Sequence, residues 1–224
     1  MTKNRSVKIF FFGDSICFGQ GVSPHLTWVS KLSKELHERY QDRLDLLIQN
    51  PSVNGNTTRM ALERIAYDVQ SHAPHIVLVQ FGMNDCNGWQ TDNGHSRTSK
   101  AAFEANLCEI VDRVRVFGAR QVIMGTNHPT TRFERLPQVE HTYDQANRSF
   151  NGITRRVADL RATLLADAEA ACDKLVSAGT ATYSDLILAD ALHLSRRGHE
   201  VYFDTRMPVM IEAVERVIAD HTRS

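Results

Sequence analysis

Four short polar segments hold the side chains that could do chemistry: Gly13-Asp14-Ser15-Ile16, Asn50 to Thr58, Gly82-Met83-Asn84-Asp85 and Asp190-Ala191-Leu192-His193. A serine hydroxyl attacks a carbonyl only if a base takes its proton as the bond forms. Histidine is the natural base, because its ordinary pKa lies near neutrality. Asp190 precedes His193 by three residues, close enough for its carboxylate to reach the Nδ1–H, fix the tautomer and stabilise the imidazolium. Ser15, His193 and Asp190 are therefore candidates for nucleophile, base and orienting acid. Each segment alone also has a plainer reading. A serine after Gly-Asp suits a helix N-cap, Gly-Met-Asn-Asp suits a turn, and Asp190 suits a helix start. Their weight comes from occurring together, in order, at the ends of predicted strands.

Those strands alternate with segments of helical periodicity. Val7–Phe12 is a short apolar strand ending in a glycine turn. Leu26, Val29, Leu32 and Leu36 fall at helical spacing on a stretch ending near Tyr40. Leu44–Ile48 is predicted as a strand, and Thr57–Val69 as a helix with Met60, Ala61, Ile65 and Val69 inward. A buried strand, His75–Gln80, follows Pro74. An amphipathic helix over Lys100–Phe117 is stopped by Gly118, and a strand over Gln121–Gly125 comes next. The remainder reads as a helix over Tyr143–Leu160, a short strand at Thr163–Ala166 and a closing helix from about Arg196 to His221. This alternation predicts one domain over residues 1–224: a three-layer α/β/α sandwich around a parallel, flavodoxin-like sheet of about five strands. In such sheets sites form at the carboxyl ends of the strands, and the first three polar loops all lie there.

With these four blocks in this order, the sequence resembles the SGNH hydrolases, also called GDSL esterases and lipases. Gly13-Asp14-Ser15-Ile16 looks like the block with the nucleophilic serine, Asn50 to Thr58 like the second block, Gly82-Met83-Asn84-Asp85 like the third, and Asp190-Ala191-Leu192-His193 like the last. The likeness spans residues 7 to about 205. It implies an oxyanion hole made of the Ser15 and Gly55 backbone N–H groups and the Asn84 amide. One such donor is commonly worth about 2.7–4 kcal/mol of transition-state stabilisation, and a glycine lets backbone approach a ligand closely. Three positions depart from the family pattern: Ser52 where a further glycine is usual, Leu194 where proline is common, and Ile16 for leucine. None removes a functional group, although Ser52 should stiffen its loop.

Other polar residues carry less. Asp14 is expected to bond within its turn and to the second loop, with a place in the substrate pocket open to it. Asp85 is expected to tie down the loop bearing Asn84. His128, after the fourth strand, either lines the pocket or faces solvent. Trp89 and His95 belong to a polar loop over 87–99 that either covers the substrate or is ordinary surface. His25, His37, His72, His141 and His199 show no metal-ligand spacing, so neither metal nor cofactor is expected.

Composition bounds the partners. Lys plus Arg and Asp plus Glu are 26 each, with no like-charge block, so the field that draws nucleic acid is missing. The apolar run Val7–Phe12 is interrupted by Lys8 and too short for a secretory core. No stretch approaches the ~20 apolar residues of a membrane helix. Four scattered cysteines suit reduced thiols in a cytoplasm better than a disulfide framework. The expectation is a cytoplasmic serine esterase acting on small-molecule esters, with no nucleic-acid or membrane partner and no oligomeric state assigned. Polar loops without a long apolar tract lean toward short acyl groups, acetyl on a sugar among them. A thioesterase or lysophospholipase, an acyltransferase, and a non-catalytic binding module on the same fold stay open.

Overall fold

The computed structural model describes residues 5–135 and 139–222; the rest of the expected 1–224 domain lies outside the described residues. Five strands, β1 (Arg5–Gly13), β2 (Leu44–Gln49), β3 (Ile76–Gln80), β4 (Gln121–Gly125) and β5 (Leu164–Ala166), form one sheet in the order β2-β1-β3-β4-β5. Every pairing is parallel. Among the described residues, eight α-helices connect or flank them: α1 (Ser15–Phe18), α2 (Trp28–Tyr40), α3 (Thr58–Asp68), α4 (Lys100–Val116), α5 (Tyr143–Leu160), α6 (Ala168–Ser177), α7 (Tyr183–Leu186) and α8 (Arg196–Thr222).

Strands β3 and β4 and the Ile9–Phe12 part of β1 read as continuous apolar runs because both sheet faces are covered there, whereas the edge strand β2 alternates buried and exposed positions. Along β1 the side chains alternate. Val7, Ile9 and Phe11 join the core built with α2 and α8, whereas Phe10 and Phe12 join the one built with α3, α4 and α5. Phe11 meets Trp28 edge-on at 5.3 Å on the first face, and Phe12 meets Phe81 at 5.3 Å on the second. Helix starts follow side-chain capping. Thr27, Thr57, Ser99 and Asp167 each accept the third helical N–H, and Thr142 and Gln145 close a reciprocal capping box.

The predicted three-layer architecture is the one observed, with element ends moved by one or two residues. Thr57 caps α3 rather than opening it, and β3 starts at Ile76. One inward assignment is wrong. Met60 is 39% exposed and touches Arg97, because Ala61, Ile65 and Val69 already fill the buried stripe of α3. Helices α1, α6 and α7 were not anticipated.

The register matters for function. Gly13 pairs with Gln80, so β1 and β3 end level with each other and release their loops side by side. The chain order also reverses at this point, with β2 on one side of β1 and β3 on the other, which opens a crevice at the carboxyl edge.

Candidate active site

Gly13 ends β1 where no side chain fits. A Cβ there would stand 2.5 Å from the Cys17 sulfur and 2.7 Å from the Gln80 carbonyl oxygen. Asp14 then caps α1, its Oδ1 accepting from the Ile16 N–H at 3.0 Å. Ser15 is thereby the first residue of a helical turn, where N–H groups lack intrahelical acceptors and carry the positive end of the turn. Gly19, at φ 85°, closes that turn by donating to the Ser15 carbonyl.

His193 arrives from a tight turn before α8. Its Nε2 lies 3.0 Å from Ser15 Oγ, and its Nδ1 lies 2.6 Å from Asp190 Oδ2. The other Asp190 oxygen accepts from the Leu192 and His193 N–H groups at 3.0 and 2.9 Å. Ala191 supports this turn in the left-handed region, φ 63°, a strained setting for alanine. Partial burial works to raise the Asp190 carboxyl, but the hydrogen bonds from the His193 ring and the two N–H groups outweigh it and hold it below its usual range. A carboxylate at Nδ1 keeps the proton there, so Nε2 presents a lone pair to the Ser15 hydroxyl. Ser15 and His193 are 6% and 9% exposed, enough to meet a ligand from one side only.

The loop after β3 brings Asn84 to the same edge, where its Nδ2 donates to Asp14 Oδ2 at 3.2 Å. Asp85 behind it accepts from the Thr58 N–H and hydroxyl at 2.9 and 2.6 Å, joining this loop to the start of α3 as the sequence suggested. Gly55 turns at φ 77° in the second loop, with open space on the side a Cβ would take. Ser52 in that loop is buried and donates to the Phe11 carbonyl, which ties the loop to β1.

Two proposed pocket residues are not pocket residues. Asp14 is fully buried, and its partner is Asn84 of the third loop rather than the second. Burial pushes its carboxyl up to about 7, the Ile16 N–H pulls it down, and the nearby Asp85 charge raises it further. His128 neither lines a pocket nor faces solvent. It is fully buried between the Tyr202 hydroxyl and the Leu192 carbonyl. Trp89 is 58% exposed, rests against Arg97 and borders a cavity of about 220 Å³ with Lys100, His141 and Gln145. A cleft of about 420 Å³ beside the His193 turn is lined by Asn87, Arg132, Phe133, Tyr143 and Ala191 among others.

Sequence reasoning missed Arg64. From α3 it donates to Asn56 Oδ1 at 2.7 Å and to the Pro51 carbonyl at 2.6 Å, pairs with Asp68, and stacks over Phe12. It clamps the loop carrying Gly55 against the end of β1. Arginine on an amphipathic helix has no signature separating a clamp from a solvated charge. No group of three or more His, Cys, Asp or Glu side chains among the described residues could hold a metal ion.

The GDSL-like Lipase/Acylhydrolase family model matches residues 11–201, a span that contains Ser15, Gly55, Asn84, Asp190 and His193. The chain belongs to that family. Curated relatives of this GDSL-like chain include an arylesterase of Vibrio mimicus, 28% identical over 124 residues, which are 55% of this chain and 56% of the relative. Esterase TesA of Pseudomonas aeruginosa is 26% identical over 117 residues, 52% of this chain and 53% of the relative. The aligned part thus spans about half the length of each. Among solved structures, the acetylxylan esterase Axe2 of Geobacillus stearothermophilus superposes with a TM-score of 0.75 at 20% identity, covering 93% of this chain and 95% of the other. At that identity the likeness carries the fold.

Proposed function

We propose that this protein is a serine esterase in which Ser15 is the nucleophile, His193 the general base and Asp190 the residue that orients it. The observation that carries this reading is the unbroken line Asp190 Oδ2, His193 Nδ1, His193 Nε2 and Ser15 Oγ, with separations of 2.6 and 3.0 Å, at the sheet's switch point. In the first half-reaction Ser15 Oγ bonds to the ester carbonyl carbon while its proton passes to His193 Nε2. The carbonyl oxygen becomes an oxyanion, received by the Ser15 and Gly55 N–H groups and the Asn84 amide. Collapse breaks the bond to the alcohol oxygen, which leaves with the proton from Nε2. Water then attacks the acyl-Ser15 carbonyl, giving its proton to His193. Collapse of that second intermediate returns the proton to Ser15 Oγ and releases the carboxylic acid.

The substrates we assign are short-acyl esters of polar alcohols, acetylated sugars among them. The cleft beside the His193 turn supports this, since its lining combines Asn87, Arg132, Glu134 and Arg135 with Phe133 and Tyr143. A structural relative described as an acetylxylan esterase supports it as well. Four free thiols, three of them buried, suit a reducing compartment and support a cytoplasmic setting. Among the described residues, no helix is long and apolar enough to cross a membrane.

The test is turnover of p-nitrophenyl esters from C2 to C12 and of O-acetylated sugars by wild type and Ser15→Ala. The expected result is a preference for C2 to C4 and loss of turnover in the variant with an unchanged melting temperature. Ser15→Ala turnover within tenfold of wild type would refute it.

A further inference from the structure

Behind the Ser15–His193 pair runs a buried chain of hydrogen bonds that the reaction itself does not use. Its two ends have fixed polarity. At one end Arg206, fully buried between the rings of Trp28 and Tyr202, can only donate, and its guanidinium reaches Gln80 Oε1 at 2.7 Å. That assigns the Gln80 amide: its oxygen faces Arg206, and its nitrogen donates to Asn127 Oδ1 at 3.2 Å and to the Tyr202 hydroxyl at 3.4 Å. At the other end the Leu192 carbonyl can only accept, and His128 Nε2 lies 2.8 Å from it. His128 Nε2 therefore carries a proton.

The state of the ring follows. His128 is completely enclosed, and burial pushes its pKa down to about 3, although the bond to the Leu192 carbonyl works to raise it and the Arg206 charge lowers it further. The ring is neutral in the working range, so Nδ1 is an acceptor. The Tyr202 hydroxyl at 2.7 Å is its donor. That hydroxyl is then saturated, because it also accepts from the His128 N–H at 3.0 Å and from Gln80. Asn147 pins the His128 carbonyl at 2.9 Å, so the backbone beneath the ring is fixed too.

The carbonyl that His128 grips belongs to the peptide group joining Leu192 to His193. The N–H of that same group donates to Asp190 Oδ1 at 2.9 Å. The peptide plane that sets the direction of the His193 side chain is thus held from both edges, by Asp190 on one and His128 on the other. It needs holding, since Ala191 two residues earlier sits in the strained left-handed region.

We propose that His128, in the Nε2–H tautomer imposed by Tyr202, is a positioning residue that holds the Leu192–His193 peptide and thereby keeps His193 aligned on Ser15. The proposal rests on the esterase reading for its kinetic arm and on Asp190–His193 geometry alone for its spectroscopic one. Small misplacements of a reacting group can cost up to about a hundredfold in rate. His128→Leu should therefore lower kcat about 10- to 100-fold with KM changed by less than about threefold. His128→Gln can place an amide Nε2–H where the ring had its own, and should keep kcat within about threefold of wild type. Tyr202→Phe removes the donor that fixes the tautomer and should fall between the two.

The second readout is the low-field proton NMR signal of His193 Nδ1–H in its short bond to Asp190. It should remain sharp in wild type and His128→Gln, and broaden or vanish in His128→Leu and Tyr202→Phe. Unchanged kcat and an unchanged signal in His128→Leu would overturn the proposal, as would an equal loss in His128→Gln and His128→Leu. If His128→Leu does not fold, Tyr202→Phe decides, since wild-type kcat and a sharp signal there would also overturn it. Ser15→Ala run alongside separates the two ideas. If it keeps turnover, the esterase reading fails while the NMR signal still reads the positioning role.

Discussion

Replacing Asp14 by asparagine removes a buried charge from beneath Ser15 and should change stability and activity in opposite directions. The Asp14 carboxyl is pushed from its usual 3.8 up to about 7 by burial, against the pull of the Ile16 N–H and with added repulsion from Asp85. An acid whose pKa is raised on folding contributes its full stability below the unfolded value, and that stability is lost as pH rises through the folded one. At about 1.4 kcal/mol per pH unit, ionised Asp14 costs the fold about 4 kcal/mol above pH 7. Between pH 5 and pH 8 the wild type should lose about 3 kcal/mol from this group, equivalent to about 6–12 °C in melting temperature for a chain of this size. Asp14→Asn cannot ionise and should not lose it.

Activity should move the other way. Asp14 Oδ1 already takes the Ile16 N–H, so the asparagine oxygen must occupy that place and its NH2 must face Asn84. Asn84 then has to turn its oxygen inward, and its N–H groups leave the oxyanion position. A donor lost there costs about 10²–10³-fold in kcat. The assay is urea or thermal unfolding of both proteins at half-unit steps from pH 5 to 8, with ester kinetics at pH 7.5. A stability difference that does not grow with pH would refute the assignment of a buried, ionising Asp14. Wild-type kcat in the variant would refute the orientation given to Asn84.

Three further changes test other parts of the site. Asn84→Ala leaves Ser15 and His193 in place and should lower kcat about 10²–10³-fold with a smaller effect on KM; an unchanged kcat would make Asn84 a turn residue only. In Asp190→Asn the oxygen must keep the Leu192 and His193 N–H groups, so the amide donates to His193 Nδ1 and drives the proton to Nε2. That wrong tautomer should cost about 10⁴-fold in kcat on a folded protein, measured with melting temperature as the control. Gly13→Ala would press a methyl group against Cys17 and the Gln80 carbonyl, and should destabilise by about 3 kcal/mol or more in urea unfolding; a loss under about 1 kcal/mol would contradict the packing at the end of β1.

The layers were legible because β1, β3 and β4 are apolar on both faces, and because α4 and α5 show long helical periodicity bounded by Gly118 and by the Thr142 cap. Helix α6 was not, since its buried residues are Ala168, Glu169 and Cys172, too small or too polar to show as a stripe. Ser15, Asn84, Asp190 and His193 could be picked out because each sits in a short segment whose own turn places it. His128 could not be placed, because what buries it is Tyr202, 74 residues further along on α8. That Asp14 bonds to the third loop rather than the second is hidden for the same reason: Asn84 is 70 residues away, and only the level ends of β1 and β3 bring the two together. The local turns were readable in the sequence; which distant side chains enclose them was not.

If Ser15 is a nucleophile activated by His193, a covalent inhibitor of serine hydrolases should capture it. Wild type, Ser15→Ala and His193→Ala are incubated with a fluorophosphonate, and the adduct is located by intact mass and peptide mapping. One adduct per wild-type chain is expected, on Ser15, with none on Ser15→Ala and labelling slowed at least about 10³-fold in His193→Ala. Adduct on another residue, or labelling of Ser15→Ala at the wild-type rate, would contradict it.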